Sequence, residues 1–367
     1  MGLIQHQVGQ QFKKKNIQNY REQIVNTSID RKKVNYYKKK ETMDKIVQKV
    51  FFLFALLSAS FVIFIIVFII IKGIYPFIHD YSVNSETIVK QDFALFFTNS
   101  RWLYDGSGGM GYLLLTTLYT TLLSLIISVP TSILTSLFIV KIVHKKLRPI
   151  LKTSIELLAS IPSVIFGLFG KGVICPLINN MGVETFGGRS IFAGTIVLAI
   201  MTIPTITMLS ISAIEAVDNK LIEASLSLGA SKAQTNIKIV LTTAESGIFA
   251  GIILGIGRAL GEATAIQMVI GNNNLGQGFY NIFNPGNTLT SAMLSGIGEA
   301  SGIGYDVRFS LGLVLILVIF LISTLLNFVK KQMMKIDKKH PVFEFIKSKF
   351  NDMKIYFRAL KNEKENK

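Results

Sequence analysis

Apolar residues in this 367-residue chain fall in long blocks, with neither a helical nor a strand period inside them. Each block reaches about 20 residues, the length a helix needs to cross a hydrocarbon core of about 30 Å. The blocks lie near Val50–Ile71, Tyr112–Val140, Ile155–Ile178, Ile191–Ile214, Gly247–Gly271 and Leu311–Val329. In lipid every backbone polar group must be satisfied within the structure, so a span is a helix or a strand of a closed barrel. Barrel strands alternate in hydropathy, and these blocks do not. The pattern predicts an all-α polytopic membrane protein with six transmembrane helices.

The spans are not alike. Pro130, Pro162, Pro176 and Pro204 fall in the second, third and fourth blocks, with Pro162 and Pro176 breaking the third. A proline in a span frees a carbonyl and kinks the helix. Two readings follow: ordinary kinks, or a working core of spans two to five wrapped by the uniformly apolar first and last. Beyond the last span, Phe343, Ile346, Phe350, Met353, Phe357 and Leu360 recur at three and four residues. That spacing predicts an amphipathic helix, either on the inner membrane surface or docked on a partner.

Charge sets an orientation. Residues 1–49 hold twelve Lys/Arg against four Asp/Glu, and residues 330–367 hold twelve against five. The tails thus carry +8 and +7 of a net +17. Basic flanks beside apolar spans follow the positive-inside rule, and they add attraction to anionic membrane lipids. No zinc, RRM or KH pattern accompanies the basic runs, so nucleic acid is not expected as a partner. The second–third loop carries Lys141, Lys145, Lys146, Arg148 and Lys152, which places it inside. The first loop balances Lys72, Lys90 and Arg101 against Asp80, Glu86, Asp92 and Asp105, which places it outside. Six spans with both termini cytoplasmic satisfy all of this. The expected organisation is a basic extension over 1–49, a membrane domain over 50–330 with its core at about 111–329, and a basic tail over 331–367. The first apolar block reads as a retained signal anchor, since no small-residue cleavage site follows it.

Other chemistry is sparse. Cys175 stands alone in an apolar stretch and reads as packing. His6, His79, His144 and His340 are scattered, so no metal is expected. No Walker motif is present, and the chain is not expected to hydrolyse ATP or hold a cofactor. Gly106–Gly111 reads as a turn, because no Gly-Lys-Ser/Thr follows it. Gly247, Gly251, Gly255, Gly257 and Gly261 read as close helix packing.

The loop 215–246 is patterned for structure. Asp218 can cap a short helix running to about Leu228, with Leu221, Ala224, Ser225 and Leu228 on one small, apolar face. Gly229 suits the left-handed residue that ends a helix. Ser231 and Gln234 form a capping box for a second helix. A compact helix–turn–helix with an exposed apolar face points to a partner.

Glu223-Ala224-Ser225, Gly229 and Ile239-x-Leu241 resemble the EAA loop of ABC-importer permeases, with matching spacing throughout. That pattern reads Glu-Ala-Ala, three residues, Gly, nine residues, Ile-x-Leu-Pro. Ser225 replaces the second Ala and Thr242 replaces the Pro. The resemblance implies that Glu223, Ala224, Ser225 and Gly229 dock on a cytoplasmic ATPase.

The fifth span carries Gly257-Arg258-Ala259-Leu260-Gly261-Glu262. In a continuous helix, four-residue spacing puts Arg258 and Glu262 on one face. Eleven residues into the block, at about 1.5 Å each, Arg258 is expected near mid-membrane, where a charge costs several kcal/mol. The pair either neutralises itself and locks helices together, or lines a pathway in which Arg258 meets an anion and Glu262 holds or releases it. A guanidinium forks onto phosphate or carboxylate oxygens.

Extended through Met268-Val269-Ile270-Gly271-Asn272, this stretch is similar to the C-type permeases of phosphate-specific ABC importers. Glu156 to Gly167 and Leu311 to Asn327 resemble their third and last spans, so the likeness covers roughly 50–330. It implies the type I importer fold, phosphate as substrate, an A-type partner permease, a cytoplasmic ATPase dimer and an extracellular phosphate-binding protein. The alternatives are an importer for another oxyanion such as phosphonate, a stand-alone secondary transporter or channel, and a membrane scaffold or signalling subunit.

Overall fold

Three long helices after residue 110 approach one another through small residues. In the computed structural model, which describes residues 2–83, 87–99, 101–103, 108–182, 186–276 and 280–338, α3 spans Gly111–Leu137 and runs on through a π-helical turn, Phe138–Ile142. α7 spans Ile191–Glu215 and α10 spans Thr242–Gly261. One face of α3 repeats every four residues: Thr116, Thr120, Ser124, Ser128, Ser132 and Ser136 are all at most 1% exposed. Hydrocarbon gives helices no hydrophobic drive to associate, so close packing of small side chains takes its place. Thr120, Ser124 and Ser136 bond back to their own helix, as Thr120 Oγ1 does to Thr116 O at 2.8 Å. Ser132 instead reaches α7, donating to Ile203 O at 3.1 Å.

The other face of α7 takes α10 through glycines. A Cβ at Gly247 would lie 2.5 Å from Ala213 Cβ, one at Gly251 3.0 Å from Leu209 Cβ, and one at Gly255 2.6 Å from Ile206 Cγ1. Gly257 and Gly261 differ: nothing lies within 4 Å of a Cβ built on either. The expected glycine packing therefore holds for the first three positions, while the last two face open space.

The remaining elements fill the ends. α1 runs Gly2–Ile78, followed by a hairpin of β1 (Tyr81–Val83) and β2 (Thr87–Val89) in antiparallel register, with Ser82 opposite Ile88. α2 (Phe93–Thr98) is capped by the Asp92 side chain on Leu95 N. α4 (Arg148–Ser160) and α5 (Ser163–Phe169) follow; a π-helical turn then leads into α6 (Cys175–Asn179). α8 (Asn219–Ser227), α9 (Lys232–Thr235), α11 (Thr264–Val269), α12 (Leu289–Leu294) and α13 (Gly302–Lys338) complete the order. Residues Met1–Phe68 cluster as one unit and Ile69–Lys367 as another. In the first, the side chains from Val50 to Phe54 and Phe61 to Phe68 are exposed, as lipid-facing residues are.

Among the described residues five helices are long and apolar enough to cross a membrane, and six if the bent pair α4–α5/α6 counts as one span. Pro162 is responsible for that bend: the two halves meet at 91°. Pro130 and Pro204 lie inside continuous helices, and Pro176 is the second residue of α6, directly after the π-helical turn Gly170–Ile174. The last span is less peripheral than its composition predicts. Val307, Leu311 and Val314 in its first half are buried in one cluster with Trp102, Tyr112 and Leu289. Only its later part, with Phe320, Leu321, Leu325 and Phe328, is exposed. The amphipathic pattern over Phe343–Leu360 lies outside the described residues.

Two ionic ties hold the ends of the second unit. Glu215 at the end of α7 accepts from Arg148 at 3.2 Å and Lys152 at 3.0 Å, fixing α4 to α7. Asp306, near the start of α13, pairs with Lys72 at 3.1 Å and accepts from Tyr81 Oη at 2.8 Å. Beside this tie a Cβ at Gly73 would lie 2.9 Å from Phe309 O, and Ser310 Oγ donates to Gly73 O at 2.7 Å.

Candidate functional site

The connector after α7 is an ordered helical hairpin. Asp218 Oδ1 accepts from Lys220 N at 2.9 Å and starts α8. The helix ends in a Schellman motif: Ala230 N bonds Ser225 O, Gly229 N bonds Leu226 O, and Gly229 takes φ +83°. Ser231 and Gln234 then make the reciprocal capping box for α9. Every signal read from the sequence here is used.

Ser225 acquires a reason for its identity. Its Oγ lies 3.0 Å from Thr235 Oγ1, and Thr235 is buried, so the hydroxyl ties α8 to the helix behind it. Glu223 and Ala224 are exposed, as are Leu221, Leu226 and Leu228, the last at 89%. α8 therefore presents an unpartnered apolar patch with Glu223 and Ala224 beside it. Where the resemblance has proline, Thr242 keeps its N–H and donates to Ile239 O. The helix consequently continues from Lys232 to Gly261, absorbing a π-helical stretch over Asn236–Leu241 instead of breaking.

The charged pair differs from the expectation. Gly247–Gly271 is not one helix: α10 ends at Gly261, and Glu262 turns away at φ −73°, ψ 124° before α11 begins at Thr264. Arg258 and Glu262 therefore do not share a helix face. Both are half-buried, and each has its own partners. Arg258 Nη1 donates to Thr205 Oγ1 on α7 at 2.8 Å. Glu262 Oε1 accepts from Ala265 N and from Thr264 Oγ1, both at 3.0 Å, and so caps α11. No ion pair joins them among the described residues. The reading of the pair as a self-neutralised lock loses its geometry.

Three more side chains converge on this break. Thr290 Oγ1 donates to the Glu262 main-chain carbonyl at 2.7 Å from α12. Ser163, opening α5, lies 2.9 Å from Thr264. Thr205 holds the guanidinium. The sequence reading passed over all of them, because a single hydroxyl barely alters the hydropathy of an apolar block. The signal that could have found Ser163, and Thr264 beside it, is local: Pro162-Ser163 and Glu262-x-Thr264 are helix-start patterns inside spans. The Gly271-Asn272 dipeptide, part of the resemblance, is a turn: both residues are left-handed, at φ 99° and 54°. A Cβ at Gly271 would lie 2.5 Å from Pro285 Cβ. Among the described residues no His, Cys, Asp and Glu cluster could hold a metal.

Comparison with known proteins bears on both regions. The probable ABC transporter permease protein YqgH of Bacillus subtilis (strain 168) is 34% identical over 198 residues, covering 53% of this chain and 63% of that protein. The phosphate transport system permease protein PstC of Pasteurella multocida (strain Pm70) is 34% identical over 225 residues, covering 55% of this chain and 68% of that protein. The chain thus spans about two thirds of these relatives' lengths. A chain of the bacterial alginate ABC transporter, solved in complex with alginate pentasaccharide-bound periplasmic protein, superposes with a TM-score of 0.54 at 17% identity, over 79% of this chain and 98% of that one. That likeness speaks for the fold alone. The profile described as binding-protein-dependent transport system inner membrane component matches residues 128–333, which takes in the hairpin and the charged break. With over half its length matched, the chain belongs to the family of binding-protein-dependent transport system inner membrane components.

Proposed function

We propose that this chain is a permease subunit of an ATP-driven importer for inorganic phosphate, forming the pathway with a second permease of the A type. A cytoplasmic ATPase dimer supplies the energy and an extracellular phosphate-binding protein delivers the substrate. The observation that carries the reading is the state of Arg258. A half-buried guanidinium in a span, held by a neutral hydroxyl and not by the carboxylate four residues away, keeps its charge for a passing anion. Its fork geometry suits two phosphate oxygens. The open space beside Gly257 and Gly261 leaves room on the same helix. The likeness to PstC proteins supports phosphate among oxyanions.

In this reading the 215–231 connector and both basic tails are cytoplasmic. Residues 1–49 and 331–367 flank a membrane domain over 50–330 and attract anionic lipid. Glu223, Ala224, Ser225 and Gly229 form the docking face for the ATPase. Nucleotide-driven closure of the ATPases pulls on α8, and the hairpin, continuous through α10 to the break at Glu262, transmits the pull to Arg258. Glu262 holds the break at which the anion leaves the guanidinium.

The test is ATP-dependent uptake of inorganic phosphate by the assembled complex in proteoliposomes. The expected result is uptake that needs ATP and the ATPase. Competition by phosphonate at equal potency would replace phosphate by the wider oxyanion class. Uptake without any ATPase would overturn the reading in favour of a stand-alone transporter.

A further inference from the structure

The two interrupted spans meet through one short chain of hydroxyls. Ser163 is the first residue after the 91° bend in the third span, and Thr264 the first residue of α11 after the break in the fifth. Their oxygens lie 2.9 Å apart, and Thr264 Oγ1 lies 3.0 Å from Glu262 Oε1. Thr264 Oγ1 donates to Glu262 Oε1, so its single proton is committed there. The Ser163 proton must then point at Thr264. The chain has one direction, Ser163 to Thr264 to Glu262.

Its consequence concerns Arg258. In a poorly solvated span, a carboxylate four residues from a guanidinium is drawn to it strongly. Here the carboxylate oxygen Oε1 is engaged twice, by Thr264 and by Ala265 N, and the guanidinium is taken by Thr205. The hydroxyl pair is not needed to dock α5 on α11. Phe166, Ala265 and Val269 already pack there, and a Cβ at Gly167 would lie 2.9 Å from Ala265 Cα. Nor does it fix the Glu262 backbone, which Thr290 holds from α12.

We propose that Ser163 and Thr264 are positioning residues: they hold the Glu262 carboxylate at the start of α11, off Arg258, so that an incoming phosphate meets an unpaired guanidinium. This rests on Arg258 being the contact for the anion. When the hydroxyls are lost, Ala265 N alone is left to hold the Glu262 carboxylate, which moves toward Arg258 more readily while its backbone stays in place, and phosphate must compete with an ion pair to bind.

The experiment uses the assembled complex in proteoliposomes, titrated with inorganic phosphate at fixed ATP and binding protein. Ser163→Ala and Thr264→Val should raise the half-saturating phosphate concentration roughly three- to tenfold, the scale of one ordinary hydrogen bond, with the maximal rate within about twofold. Thr264→Val should have the larger effect, and the double variant should match it. Ser163→Thr and Thr264→Ser should restore the wild-type value. A fall in maximal rate at unchanged half-saturation would overturn the proposal and leave the hydroxyls as a helix tie. Normal uptake by Arg258→Gln in the same assay would instead remove the anion site on which the proposal stands.

Discussion

Arg258 and Glu262 stand four residues apart and turn to different partners, Arg258 to Thr205 at 2.8 Å and Glu262 to the first turn of α11 at 3.0 Å. The main-chain break between them is what separates them. If Thr205 only orients the guanidinium, its loss is a partial defect. Thr205→Val should lower phosphate uptake several-fold, the scale of about 1 kcal/mol for one hydrogen bond, without the complete loss expected for Arg258→Gln. Initial uptake rates at matched expression check this, and equal loss in both variants would make Thr205 a direct contact.

The hairpin at 218–241 separates coupling from stability. Gly229 is left-handed, with open space where a Cβ would sit, so a substitution there strains the backbone without a clash. Gly229→Val should cost about 1–2 kcal/mol locally and uncouple ATP hydrolysis from uptake while the chain stays in the membrane. Ser225→Ala removes only the tie to Thr235, about 1 kcal/mol. Because alanine is what the resembled loop carries at this position of the docking face, the change should speed hydrogen exchange in α8 and leave coupling intact. Coupled transport by both Gly229→Val and a Glu223 variant would dislodge the docking assignment.

Glycines of one helix should divide by what they face. Gly247→Val puts a branched side chain 2.5 Å from Ala213 Cβ and should cost about 1–3 kcal/mol through overpacking. Gly257→Ala and Gly261→Ala add a methyl to open space and should leave thermal stability unchanged. Melting curves of the detergent-purified protein read the difference directly.

The Asp306 tie carries a pH signature. Burial, then the hydrogen bond and charge of Asp306, push the Tyr81 phenol well above its usual range. A raised folded value means that the contribution of Tyr81 is complete below the unfolded value of about 10 and is lost as the pH climbs above it. Tyr81→Phe should therefore flatten the fall in melting temperature above about pH 10. Asp306→Asn should cost about 1–3 kcal/mol at neutral pH, between the exposed and buried limits for breaking an ion pair.

The sequence was most legible where chemistry repeats a local rule. Asp218, Gly229, Ser231 and Gln234 each announce a cap or a turn, and the structure uses each. The spans were legible by length, yet the interruption at Glu262 was not. A carboxylate capping the next helix looks, in one dimension, like a charged residue continuing the same helix. The hydroxyl face of α3 was hidden for a related reason. Ser124, Ser128, Ser132 and Ser136 lower the hydropathy of the block only slightly, and their four-residue repeat gains meaning only once α7 packs against it. Ser225 departed from the motif it resembles by one hydroxyl, and only the distance to Thr235 shows what that hydroxyl does.

In the proposed function Arg258 is the point at which the chain meets phosphate during ATP-driven import. The most direct measurement is inorganic phosphate uptake by the reconstituted complex carrying Arg258→Gln, with ATPase activity and assembly recorded in the same preparation. The expected result is an assembled complex that hydrolyses ATP and imports no phosphate. Wild-type uptake by that variant would contradict it.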